Sequence, residues 1–227
     1  NKPLSDKMLF RSHNMGYFLC GECHHLNSEH EDTDAFATKV YITDNYANNY
    51  TAADIEKYEN RLNTIYIPKA NFLVDALKAD GIAASDIRLL DDGAGSGYFV
   101  RAMLKLGADA EGIEISKDQV DFANNIAKQT GLNNILTQID ADKITDYIRN
   151  TDRPVLSAIG VLEHIISLRE TLDAIRDNEN IKYLYISNFN NKKLILNRLA
   201  FFLTRFRKQV YPSGNVCVCI PLGQLHF

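Results

Sequence analysis

Apolar residues first take on a regular spacing at Ile55, Tyr58, Leu62 and Ile65, where intervals of three and four residues predict an amphipathic helix. Thr51 and Asp54 form a capping-box pattern ahead of it, and Pro68 is expected to break or restart the helix before Phe72, Leu73 and Leu77 carry its apolar face to Gly81. From Ile87 onward short apolar runs alternate with helical patterns. The runs at 87–90, Ala110 to Ile115, Ile135 to Ile139, Val155 to Ile159 and Ile181 to Ser187 read as strands. Helices are expected from about Tyr98 to Leu106, ended by Gly107, from a Ser116–Gln119 capping box until Gly131 closes it, around Ile144 to Ile148, and after a Ser167–Glu170 cap. This alternation predicts an α/β fold, a doubly wound and mostly parallel sheet with helices on both faces.

The two ends follow other patterns. Residues 1–50 are polar, irregular and rich in histidine and asparagine, and read as an N-terminal extension to a domain spanning 51–227. Asn190 to Lys208 has the pattern of a basic amphipathic helix, apolar at Leu194, Leu199 and Phe202, that covers the sheet after its fifth strand. Cys217 and Cys219 alternate with Val216, Val218 and Ile220 as in a strand, a spacing open to metal binding and more typical of core thiols. Five strands are legible, and the rest of the chain reads as too short for a covering helix and two further strands. The chain starts at Asn1 and stops at Phe227, and is expected to be truncated at the C-terminus.

Composition narrows the class. The chain has 227 residues, 45% hydrophobic and 24% charged, in the range of a soluble globular protein with one sizeable core. A formal net charge of -4 gives no general attraction to nucleic acid, and no apolar run has membrane-spanning length. Four cysteines in two close pairs without a signal peptide point to the cytoplasm.

The candidate chemistry centres on the run from Arg88 to Tyr98, where apolar residues lead into Asp91 and Asp92 and then into glycines at 93, 95 and 97. It reads as a strand turning tightly into a helix. The glycines permit positive φ and let a ligand lie against bare peptide, while the next helix aims its first amides at whatever is bound. Dinucleotide enzymes require G-x-G-x-x-G, and counted from Gly95 the third glycine would fall at Val100. The pattern here is D-x-G-x-G-x-G from Asp91 to Gly97, followed by a strand that carries Glu114 near its end.

Those residues resemble motif I and the acidic loop of the class I S-adenosylmethionine-dependent methyltransferases. Val161-Leu162-Glu163-His164, after the fourth strand, resembles the V-L-E-H motif of small-molecule members, and together the motifs cover roughly residues 87–190. The resemblance implies a Rossmann-like fold and cofactor contacts from Asp91, Gly93, Ala94, Gly95 and Gly97 along the methionine part. It implies that Glu114, next to Ile115, accepts the ribose hydroxyls, that Asp140 and Ala141 serve the adenine, and that Gly160 borders the site. Asp92 departs from the family, which places an apolar residue there, so its carboxylate has to be solvated or paired. The acceptor implied is a small molecule or a saccharide, methylated most often on oxygen, with nitrogen and carbon open. His164 is the candidate base, since an imidazole takes a hydroxyl proton near neutral pH, and it is equally suited to capping a helix or holding the loop.

Alternatives remain at this point: a domain that holds the cofactor without turnover, and a nicotinamide-dependent oxidoreductase, which the glycine spacing disfavours. Cys20 and Cys23 have zinc-knuckle spacing, with His25 and His30 as candidate further ligands, as in the small N-terminal zinc modules of some sugar methyltransferases. The resemblance also implies a helical lid, the helices ahead of the first strand lying over the cofactor with Tyr46 or Tyr50 covering it, and tyrosines at these intervals equally suit packing.

Overall fold

The computed structural model describes residues 55–188, the segments 207–210 and 216–222, the short pieces 2–3, 8–10, 13–15, 17–19 and 26–28, and residue 33. One sheet holds seven strands: β1 (Arg88–Asp92), β2 (Asp109–Glu114), β3 (Leu136–Gln138), β4 (Val155–Ile159), β5 (Tyr183–Asn188), β6 (Arg207–Val210) and β7 (Val216–Pro221). Their spatial order is β6-β7-β5-β4-β1-β2-β3. β1 to β5 run parallel, and β7 lies antiparallel to both β5 and β6. The chain winds outward through β2 and β3 on one side of β1 and through β4 and β5 on the other. The switch point therefore falls between β1 and β4, where the carboxyl ends of an α/β sheet open a crevice for ligands.

The helices are α1 (Ile55–Arg61), α2 (Ile67–Lys78), α3 (Tyr98–Lys105), α4 (Lys117–Gln129), α5 (Ile144–Asn150) and α6 (Leu168–Asp177). Neighbouring strand residues feed opposite cores, which is why the strands read as continuous apolar runs. Leu89 joins Leu73, Leu77, Phe99, Met103 and Ala123 on the face covered by α2, α3 and α4. Leu90 joins Ile148, Leu156, Ala174 and Ile175 on the face covered by α5 and α6. Truncating one such leucine to alanine costs about 2–5 kcal/mol, so each core contributes substantially to stability.

Several expectations are corrected. The last two strands are present, because β6 and β7 need only residues 207–221. Arg207 and Lys208, expected to end a helix, pair with Cys219 and Val218 as strand residues. Pro68 restarts the helix, one of its two expected readings: α1 passes through a π-helical turn, Leu62–Tyr66, into α2, whose first turn holds the proline where its missing N–H is not needed. The Ser116 and Ser167 side chains make no cap hydrogen bond, so neither capping box forms. Cys219 is buried in the core, the commoner of its two readings.

Near the N-terminus, expected to be irregular, Lys2–Pro3, Tyr17–Leu19 and Leu26–Ser28 form a small antiparallel sheet, and Met8–Phe10 pairs with His13–Met15. Thr51, Asp54, the predicted helix from Asn190 as far as Phe206, the ligand candidates Cys20, Cys23, His25 and His30, and the lid candidates Tyr46 and Tyr50 lie outside the described residues. Among the described residues no helix is long and apolar enough to cross a membrane, and no group of three or more His, Cys, Asp or Glu is arranged to hold a metal ion.

Candidate cofactor site

The chain leaves β1 at Asp92 and enters α3 at Tyr98, and the connecting loop passes over β2. Gly93, Gly95 and Gly97 have φ of +63°, +54° and +72°, the left-handed conformation that side chains resist. The Ala94 amide donates to the Ile113 carbonyl at 3.0 Å, and the Gly97 amide closes the turn on the Ala94 carbonyl at 3.0 Å. The Cβ-free sides, expected to face a ligand, are instead filled by protein. A Cβ at Gly93 would meet Val161 at 2.6 Å, one at Gly95 would meet Gln119 Oε1 at 3.2 Å, and one at Gly97 would meet Ala123 at 3.0 Å.

Glu114, at the end of β2, is 8% exposed and holds this loop from below. Its Oε2 accepts the Gly95 amide at 2.8 Å and its Oε1 accepts the Ser116 amide at 2.9 Å, while the Ile115 amide also bonds the carboxylate. Burial raises its pKa, and these three amides oppose the rise by favouring the charged form. Each carboxylate oxygen has two lone pairs, so the group retains acceptor capacity for a diol. The acceptor capacity of Glu114 thus fits the ribose diol of the implied cofactor.

Asp91 and Asp92 are each 2% exposed. Asp91 pairs in register with Ser157 on β4, whose hydroxyl donates to its Oδ1 at 2.6 Å. Burial lifts the Asp91 pKa to about 7, with Asp92 and Glu114 adding to the rise and the buried ammonium of Lys69 on α2 opposing it. The expectation that Asp92 be solvated or paired is corrected. It is buried, accepts a bond from the Gly93 amide, and burial followed by repulsion from Glu114 pushes its pKa to about 7. Neutralisation is the usual way a protein accommodates such a carboxyl.

The remaining candidates lie along the same edge. Gln138 pairs with Glu114, so Asp140 and Ala141 emerge two and three residues beyond that contact, both exposed. Asp140 leads into a 3-10 turn, Ala141–Lys143, without a side-chain cap bond. Gly160 follows β4 with φ of +66° and donates its amide to the Ser187 carbonyl at 2.7 Å. Val161, the residue packed over Gly93, begins the loop in which Leu162–His164 forms a 3-10 turn and His164 is exposed. The glycine loop, Glu114 and the β4 loop are thereby linked by direct contacts, with Asp140 placed beside them by strand register.

Four contributors escaped the sequence reading: Tyr58, whose hydroxyl donates to the Ser96 carbonyl at 3.0 Å, Gln119, which accepts the Ser96 hydroxyl at 3.0 Å, Lys69, and Gly112 beneath the loop. Only Gly112 carried a signal, as a glycine inside a strand.

A family model described as a methyltransferase domain matches residues 58–209, a span that holds all of these residues. The ubiquinone biosynthesis O-methyltransferase of Actinobacillus pleuropneumoniae serotype 7 is 26% identical over 186 residues, covering 74% of this chain and 77% of that protein. The enzyme of the same name from Methylococcus capsulatus is 28% identical over 125 residues, 52% of each chain. Among solved structures, magnesium protoporphyrin IX methyltransferase from Synechocystis PCC 6803 with bound SAM has a TM-score of 0.54 at 16% identity, over 85% of this chain and 97% of that one, a likeness of fold. With the family match spanning residues 58–209, most of the chain, the chain belongs to the methyltransferase-domain family and is a class I S-adenosylmethionine-dependent methyltransferase.

Proposed function

We propose that the protein methylates a hydroxyl oxygen of a small molecule. The observation that carries this reading is its similarity to two ubiquinone biosynthesis O-methyltransferases. Exposure of His164 on the β4 loop, which touches the glycine loop through Val161, supports the assignment of the base.

When bound, S-adenosylmethionine supplies a methyl group made electrophilic by its sulfonium. The turn from Gly93 to Gly97, with Asp91 and Ala94, holds the methionine part, and Gly160 borders it across the switch point. Glu114 accepts the ribose hydroxyls, with Ile115 beside it. Asp140 accepts from the adenine amine and the Ala141 amide donates to the ring. His164 receives the acceptor's hydroxyl proton, a contribution worth about 10²- to 10⁴-fold in rate for a positioned base.

The test is transfer of a labelled methyl group to a panel of phenolic and saccharide hydroxyl acceptors by the wild type and by His164→Ala, with the methylated atom of each product assigned by NMR. The expected result is an O-methyl product whose kcat falls at least tenfold in the variant, with cofactor affinity unchanged. A methyl group on nitrogen or carbon would overturn the oxygen assignment, and an unchanged kcat would remove His164 from the chemistry.

A further inference from the structure

α1 reaches the glycine loop through one hydroxyl. Tyr58 is fully buried, and its ring stacks on Tyr98 with centroids 4.1 Å apart and planes 17° from parallel. The Arg101 guanidinium carbon lies 5.2 Å from the Tyr58 centroid, and Arg101 in turn bonds Glu59 Oε1 at 2.7 Å. These contacts fix the ring, and the ring aims its hydroxyl at the Ser96 carbonyl, 3.0 Å away. Burial raises the Tyr58 pKa, so the group remains a protonated donor across the physiological range.

Ser96 sits between Gly95 and Gly97, and each part of this stretch is tied to a different element. Gly95 donates to Glu114 on β2, the Ser96 hydroxyl donates to Gln119 on α4, and the Gly97 amide bonds back to Ala94. The Ser96 carbonyl is the tie that comes from outside the strand-and-helix unit, from a helix ahead of the sheet. A backbone with glycines at both flanks has many accessible conformations, so a buried donor at the carbonyl between them selects among them strongly.

We propose that Tyr58 is a positioning residue for the cofactor: its hydroxyl holds the Ser96 carbonyl, and through it the Gly95–Gly97 backbone, in the conformation that receives S-adenosylmethionine. The proposal rests on the cofactor assignment above. It acts through preorganisation. Without the hydroxyl the loop spends part of its time in other conformations, and the apparent dissociation constant rises by the inverse of the competent fraction. Because the reacting groups are untouched, turnover at saturating cofactor is preserved.

The experiment is calorimetric titration of the full chain with S-adenosylmethionine and with S-adenosylhomocysteine for the wild type, Tyr58→Phe and Arg153→Gln, alongside thermal melts and steady-state kinetics. Phenylalanine keeps the stack on Tyr98 and removes the hydroxyl, with its bond to the Ser96 carbonyl and the one it accepts from Arg101. Arg153→Gln removes ion pairs to Asp109 and Glu111 toward the amino end of β2, leaving the loop contact and the groups that fix the Tyr58 ring intact. The expected result is a dissociation constant raised roughly three- to tenfold for both ligands in Tyr58→Phe, with KM for the cofactor raised alike and kcat within about twofold. Arg153→Gln should lower the melting temperature without changing affinity. An unchanged affinity in Tyr58→Phe, an equal loss in both variants, or a Tyr58→Phe protein that no longer folds would each overturn the proposal in favour of a purely structural tyrosine. Folded wild type that binds neither ligand would instead overturn the cofactor assignment.

Discussion

Gly112 lies directly beneath Ala94: a Cβ at position 112 would come within 2.6 Å of the Ala94 Cβ and 2.7 Å of Leu136 Cδ2. The glycine loop therefore rests on the backbone of β2, and the bond from the Ala94 amide to the Ile113 carbonyl depends on that approach. Gly112→Ala is expected to lower stability by about 1–3 kcal/mol, the usual cost of overpacking a filled core. It should also weaken cofactor binding, because the displaced atoms belong to the loop. Denaturant midpoints and cofactor titration read both effects, and Ala94→Gly added to Gly112→Ala should recover part of each. A neutral Gly112→Ala would mean that the loop lifts off β2 at little cost.

The parallel sheet was legible because its signals are local. Glycines at 107 and 131 closed α3 and α4 where expected, and the two-sided burial of Leu89 and Leu90 made β1 a continuous apolar run. The ties that hold the site were not legible, because they join distant positions: Tyr58 to Ser96 spans 38 residues and Ser157 to Asp91 spans 66. Gln119 illustrates the limit. Its spacing from Ser116 suggested a capping box, but its carbonyl is taken by the Ser96 hydroxyl, a partner that only folding brings near. β6 was misread for a related reason, since Arg207 and Lys208 continue a helical pattern in sequence while their pairing with β7 decides their conformation.

Glu114 supports the loop and is proposed to bind the ribose, and two ligands tested on one variant separate these functions. Its carboxylate accepts the Gly95 and Ser116 amides from within the fold, and under the proposed assignment it also accepts the ribose hydroxyls. Glu114→Gln keeps the size but turns an NH2 group toward one of the backbone donors, so the loop loses a tie as well as a charge. The expected outcome is an affinity for S-adenosylmethionine reduced at least tenfold, with a smaller melting-temperature change for the unliganded protein than the loss of binding would suggest. Affinity for methionine, which lacks the ribose, should fall far less. Equal losses for both ligands would assign Glu114 to loop support alone.

Asp91 and Asp92 make the stability of the unliganded protein depend on pH in a direction opposite to that of a salt-bridged carboxylate. Burial raises both folded-state values to about 7, from the ordinary 3.8. Between those limits the folded chain holds protons that the unfolded chain has released, so stability is greatest at the acid end of the window and declines as pH rises toward 7. Asp92→Asn reproduces the neutral form permanently. It is expected to flatten the decline and to raise stability at pH 8 by roughly 1–2 kcal/mol, a few degrees in melting temperature. Asp91→Asn should gain less, because it exchanges the short bond from Ser157 and the attraction of Lys69 for a neutral contact. Thermal melts from pH 5 to pH 9 on the three proteins check the ordering. A wild-type melting temperature that rises through this range would show that both carboxylates are ionised and paired in solution.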